Sequence, residues 1–222
     1  MGDARVQASP AFSPIGYFAT SSIPAIAGAS NQKMSPDSFM AGGLAGYNHQ
    51  WDDLVVGFEA DFGRMSWNAN TTTGPVQYPC CPPTPTNPNT FTVTQSMSTS
   101  WLVTLRPRIG LVFGKFMAYG TGGLALTSVK YSALFTDTFA TAHESASTDG
   151  MREGWVAGGG GEYRLSHHWA VKGEYLYGGV RASTFSTNLT AFSPPITFPA
   201  NVFTHTVSLR PQIARAGVNF RF

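Results

Sequence analysis

Long hydrophobic runs are missing from this chain. No stretch approaches the ~20 consecutive apolar residues that a membrane-crossing helix needs, so a helical span is excluded by length. Charge is scarce: 12% of the 222 residues are Asp, Glu, Lys or Arg, and the formal net charge is +2. No basic block or stripe exists, which removes the electrostatic case for nucleic acid. Cysteine occurs only as the adjacent pair Cys80 and Cys81, set among prolines. That spacing holds no metal. It fits an inert loop pair, a strained vicinal disulfide or bonding to another chain. Met1-Gly-Asp-Ala-Arg5 lacks the basic and apolar regions of a secretory signal. If the protein is exported, the signal has been removed or the start is internal.

Glycine and aromatic residues are abundant instead, with 24 Gly and 13% Phe, Trp and Tyr. A β-strand crosses a bilayer in ~9–11 residues, of which half are apolar, so hydropathy does not register it. Alternation does. Leu54, Val56, Phe58, Ala60 and Phe62 share one strand face, with Glu59 and Asp61 opposite. Over 101–113, Trp101, Val103, Leu105, Ile109, Leu111 and Phe113 oppose Thr104, Arg106, Arg108 and Gly110. Over 155–165, Trp155, Ala157, Gly159, Tyr163 and Leu165 oppose Glu162 and Arg164. Over 169–177, Trp169, Val171, Tyr175 and Tyr177 oppose Lys172 and Glu174. At the C-terminus, Ala214, Ala216, Val218, Phe220 and Phe222 oppose Arg215, Gly217, Asn219 and Arg221. With the Gly-rich 39–50 and 115–131, these predict seven strands.

Connections alternate in length. Tight turns are expected at Gln50–Asp53, Phe113–Lys115 and Ser166–His168, and long polar loops at 67–95, 132–150 and 181–205. Short-long alternation fits an up-and-down barrel crossing an outer membrane, and such bacterial barrels have an even strand number. A further strand should therefore precede 39–50. Ile15–Thr20 is a weak candidate between Pro14 and Pro24; otherwise the strand lies upstream of Met1.

Alternation alone does not decide which face points inward, since a lipocalin-like barrel buries its apolar face and a membrane barrel shows it to lipid. Trp101, Phe113, Trp155, Trp169, Phe220 and Phe222 lie near strand ends, as interfacial girdles require. The opposite face is charge-compensated. A barrel of ~8 strands has an interior just filled by side chains, and unpaired charges there cost several kcal/mol each. Glu59, Asp61, Arg106, Arg108, Glu162, Arg164, Lys172, Glu174 and Arg215 are therefore expected to form a lumenal ion-pair network. Alternatives are a solvated outer face or the lining of a selective pore.

Several stretches carry a family resemblance: Gly42-Gly-Leu-Ala-Gly-Tyr-Asn48, Val56-Gly-Phe-Glu-Ala-Asp-Phe62, Trp101-Leu-Val-Thr-Leu-Arg-Pro-Arg-Ile-Gly110, Ala118-Tyr-Gly-Thr-Gly-Gly-Leu-Ala125 and Gly173-Glu-Tyr-Leu-Tyr177. The ending, with Arg215, Gly217, Phe220 and terminal Phe222, looks like the C-terminal assembly signal of bacterial outer-membrane barrels. Over 39–222 the chain resembles the alphaproteobacterial small outer-membrane surface-antigen (porin-like) family, itself similar to the transmembrane domain of outer-membrane protein A. The resemblance implies an eight-stranded antiparallel barrel in a Gram-negative outer membrane, with a narrow lumen, no cofactor and a structural, surface-exposed envelope role. It implies outer-membrane lipid, lipopolysaccharide and the barrel-assembly machinery as partners, the last through the C-terminal strand, and a monomer or weak oligomer. Residues 1–38 would be an N-terminal segment holding the weak first strand and an outer loop. A small porin, or an adhesin working through the long loops, remains the alternative.

No catalytic constellation emerges. A rim enzyme would need His converging with Asp or Ser. His143 and His205 could reach the rim with Asp137, Glu144, Asp149 or Ser208, but no spacing selects them. The glycine runs 120–123 and 158–161 lie within strands, with no strand-to-helix transition, so they read as close backbone approach rather than phosphate loops. No metal site and no enzymatic activity are expected.

Overall fold

The computed structural model describes residues 2–9, 16–35 and 38–221. Ten strands and one helix follow in order: β1 (Gly2–Ser9), α1 (Ser22–Ser30), β2 (Gln32–Met34), β3 (Met40–Trp51), β4 (Leu54–Gln77), β5 (Thr90–Phe113), β6 (Phe116–Asp137), β7 (His143–Arg164), β8 (Trp169–Ala191), β9 (Ile196–Leu209) and β10 (Gln212–Phe220). All pairing is antiparallel, in the order β2-β1-β9-β8-β7-β6-β5-β4-β3, with β10 on the lower part of β8 below β9. The sheet curls into a barrel whose tight turns, among them the positive-φ Gly114, mark its lower end.

The expected tight turns are present. The expected long loops are mostly strand: only 78–89, 138–142 and 192–195 connect the upper ends. Their Thr and Ser content suggested loop, yet Thr90–Ser98 alternates strictly, burying Phe91, Val93, Gln95 and Met97 beneath hydroxyls. β-branched Thr is at home on a pleated surface. The candidate first strand at 15–20 is also corrected. Residues 16–20 are irregular, Ile15 lies outside the described residues, and the N-terminal strand is β1.

The barrel has two tiers of opposite polarity. On β4 the outward residues run Leu54, Val56, Phe58, Ala60 and Phe62, then Arg64, Ser66, Asn68, Asn70 and Thr72. The inward residues change in the reverse sense, from Glu59 and Asp61 to Met65, Trp67 and Ala69. β5 repeats the inversion, passing inward from Arg108 and Arg106 to Met97 and Val93, while on β6 the outward face changes, from Phe116, Leu124 and Leu126 to Ser128, Lys130 and Ser132. Breaks in register lie where the polarity turns over: Arg64 to Trp67, Ser98 to Leu102, and Val180 to Ser183. Pairings Arg64–Trp101, Leu102–Thr127, Thr127–Arg152 and Gly154–Val180 put these breaks near one level. Below the belt the outside is apolar and the inside charged; above it the outside is hydroxyl-rich and the inside apolar. A bulge can swap the faces of a strand without ending it.

Helix α1 sits in the upper mouth. Ile26 is fully buried among Phe91, Phe135, Leu189 and Phe203. Gln95 Nε2 donates to the Ser30 carbonyl at 2.7 Å, and Gln32 Nε2 to Thr73 Oγ1 at 2.7 Å. Beside it, Tyr17 and Tyr78 both donate to Asp137 Oδ2, at 2.5 and 3.0 Å. Burial first, then this carboxylate, holds both phenols well above the ordinary tyrosine range.

Candidate functional site

Arg106 is the centre of the lower lumen. Its side chain is fully buried, and its guanidinium donates to Glu174 Oε1 at 2.6 Å, Asp61 Oδ2 at 2.8 Å and Glu59 Oε2 at 3.3 Å. Register places it there, because Glu59 lies directly opposite on β4. Two residues lower, Arg108 donates to Glu59 Oε1 at 2.8 Å and Asn48 Oδ1 at 2.7 Å, and lies 3.5 Å from Glu162. From β8, Lys172 reaches Glu59 at 2.7 Å and Glu174 at 3.0 Å. From β10, Arg215 reaches Asp61 at 3.0 Å and Glu174 at 2.9 Å. Tyr119 adds a 2.8 Å hydrogen bond to Glu174, and its ring lies 5.1 Å from the Arg108 guanidinium and 5.2 Å from the Lys172 ammonium.

Four carboxylates (Glu59, Asp61, Glu162, Glu174) therefore face four cations (Arg106, Arg108, Lys172, Arg215) in one connected cluster. Buried ions gain from Coulomb attraction only when hydrogen bonds also satisfy their donors and lone pairs; the shared guanidinium forks supply most of these, leaving Arg106 Nε and Asp61 Oδ1 without a hydrogen bond among the described residues. Arg164 does not join. It lies exposed at the lower rim, where the strand ends, and makes none of the ion pairs among the described residues. Arg221, which alternation puts on the same face, bonds Glu162 instead.

The girdle aromatics face outward. Phe113, Trp155, Trp169 and Phe220 are about half exposed, Trp101 less so at the belt, and Phe222 lies outside the described residues. Trp169 meets Phe220 edge-on at 5.1 Å. Trp51, Phe116 and Tyr163 share the lower end. At the C-terminal strand, Arg215 points into the lumen, while Gly217 is exposed.

Sequence reading missed a second buried polar group. His205 Nε2 lies 2.9 Å from Glu144 Oε1, both side chains 1% exposed, with Thr187 also donating to Glu144 and Phe185 stacked on the imidazole. Both were candidates for an upper rim site; they sit inside the apolar upper core. His143 is exposed, Asp149 pairs with the exposed Lys130, and Asp137 belongs to the Tyr17–Tyr78 cluster. Cys80 and Cys81 form a vicinal disulfide in the β4–β5 connection. Among the described residues no cluster of metal-ligating side chains occurs.

The family model described as "Outer membrane protein beta-barrel domain" matches residues 8–222. The 31 kDa outer-membrane immunogenic protein of Brucella melitensis biotype 1 is 32% identical over 141 residues, covering 63% of this chain and 52% of that protein. The 25 kDa outer-membrane immunogenic protein of Brucella abortus biovar 1 is 31% identical over 144 residues, covering 65% and 53%. The chain thus spans about half the length of the curated relatives it matches. Among solved structures, outer membrane protease OmpT from Escherichia coli aligns with a TM-score of 0.44 at 11% identity, covering 83% of this chain and 62% of that one.

Proposed function

We propose, from the premise that this chain belongs to the outer-membrane-protein β-barrel domain family, that it is a non-enzymatic envelope protein. It is an outer-membrane β-barrel with a structural, surface-exposed role and a lumen that does not conduct. The observation that carries this is the stacked interior. The compensated charge cluster around Arg106 fills the lower lumen, and the apolar upper core sealed by α1 lies above it. A solute entering from above meets Ile26, Phe91 and Phe203 before it reaches any charge. The apolar outer band seats the lower tier in lipid, and the hydroxyl-rich upper tier stands among lipopolysaccharide headgroups. The relatives carry names that call them immunogenic, and an upper tier projecting outward fits a surface antigen. Lipid, lipopolysaccharide and the assembly machinery acting on β10 are the partners this reading assigns.

Planar-bilayer recording of the refolded chain tests it. Silence is expected; steady, reproducible open steps would replace this reading with the small-porin one. A second reading, ligand binding by the upper tips, rests on the exposed Phe139, Phe192 and Ile196 at the connections around Tyr17. Partner binding that persists after these three become serine would dispose of it.

A further inference from the structure

Two strands of the barrel are interrupted, and they frame one slot. β9 and β10 descend along β8 with a break at Arg210–Pro211. β2 descends along β1, and after residues 35–39 the chain goes down again as β3. In the upper tier, β1 lies between β9 and β2, pairing Gly2 with both Leu209 and Met34. Below Gly2 no described residue fills the corresponding space. Among the described residues β3 pairs only with β4, and β10 only with β8. A cavity of about 1790 Å³ opens between them, lined by β3 from Met40 to Asn48 and by β10 from Gln212 to Phe220. Its effect reaches the lumen face: Gly42, Leu44, Gly46 and Asn48 point the same way as buried Glu59 and Asp61, yet are exposed.

This slot lies below the belt, level with the apolar outer band. Unpaired strand edges are not tolerated in hydrocarbon, where no water satisfies the backbone. We infer that the slot is the seat of one more β-strand, collinear with β1 and antiparallel to both β3 and β10. Continuity with the existing β1–β9 and β1–β2 pairing sets its direction. Its length is the nine residues of β10 to the twelve of β3, which matches a bilayer crossing of ~9–11 residues.

The walls also fix its chemistry. Outward residues complete the apolar band and are apolar. Inward residues carry no positive charge, because the four carboxylates of the cluster already face four cations, and Glu162 holds a fifth, Arg221, at the rim. An added inward cation would enter a buried set already in cationic excess, without a partner. Bulky uncharged side chains fit best, since Gly46 and Gly217 line the slot and nothing stands within 4 Å of a Cβ placed at Gly217.

The test compares the 222-residue chain, refolded in detergent, with three versions carrying nine added residues before Met1. One addition alternates Val with Asn, one alternates Val with Lys, and one repeats the first with Pro at every third position. The Val/Asn version is expected to slow amide exchange on β3 and β10 at least tenfold. It should also give an SDS-resistant band whose mobility changes on boiling, while the Lys and Pro versions do neither. The inference is overturned if the Val/Asn strand leaves exchange unchanged. Direct closure would overturn it too: slow exchange on both strands in the unextended chain, with Ala45→Cys and Ala216→Cys cross-linking to each other.

Discussion

Replacing Arg106 by alanine should destabilise the barrel far more than the same change at Arg181. Arg106 has no solvent exposure and touches three carboxylates. Its removal strips Glu59, Asp61 and Glu174 of one donor each inside a medium of low polarity. Breaking a buried pair from one side costs ~3–5 kcal/mol, most of it the uncompensated charge left behind. The cluster cushions part of that loss. Asp61 and Glu174 keep Arg215, and Glu59 keeps Lys172 and Arg108. The lower end, about 3 kcal/mol, is therefore expected. Arg181 pairs with Glu153 at 2.7 Å, but the side chains are 77% and 66% exposed, and an exposed pair contributes ~0–1 kcal/mol. Urea unfolding in detergent or bilayers, followed by tryptophan emission and gel mobility, measures both variants. Arg106→Lys, which keeps the charge but loses the fork, should fall between them. Equal losses for Arg106→Ala and Arg181→Ala would refute the buried, mutually dependent cluster.

Two further outcomes follow from local geometry. Gly158→Ala should destabilise by roughly 1–3 kcal/mol, because its Cβ would lie 2.0 Å from the Tyr175 carbonyl oxygen, whereas Gly173→Ala meets nothing within 4 Å and should be nearly neutral; refolding yield and urea midpoint separate them. The raised phenols of Tyr17 and Tyr78 favour their protonated forms in the folded state, so their contribution is complete below the ordinary value of 10.0 and declines as pH rises above it. Stability of the upper mouth, read by proteolysis of the 138–142 connection, should fall above about pH 10. That fall should vanish in the Tyr17→Phe, Tyr78→Phe double variant.

Alternation at 54–62, 101–113 and 169–177 was sufficient to read strand identity, facing and tight turns, because a period of two follows directly from the pleat. The same rule held for Phe91, Val93 and Met97, but the Thr and Ser between them suggested loop, and the strands were read some ten residues short. Helix α1 left no legible signal: nine residues, Ser22–Ser30, with a proline and a glycine inside and no capping side chain. His205 and Glu144 are 61 residues apart, and only the register of the upper tier, with Phe185 and Thr187 beside them, makes them neighbours.

By itself the sequence determined that this is an antiparallel barrel with an apolar outer band, since strand period, aromatic placement and charge compensation are properties of consecutive residues. Tertiary structure alone decided which charges meet. Arg106 binds Glu174 across 68 positions, and Arg164, on the same face as Glu162, is left at the rim. It also decided where the wall inverts, because inside and outside acquire meaning only once the sheet has curled and the belt of register breaks stands at one level. The slot beside β3 belongs to the same category: an unpaired edge is a relation between strands, and no single stretch of residues encodes it.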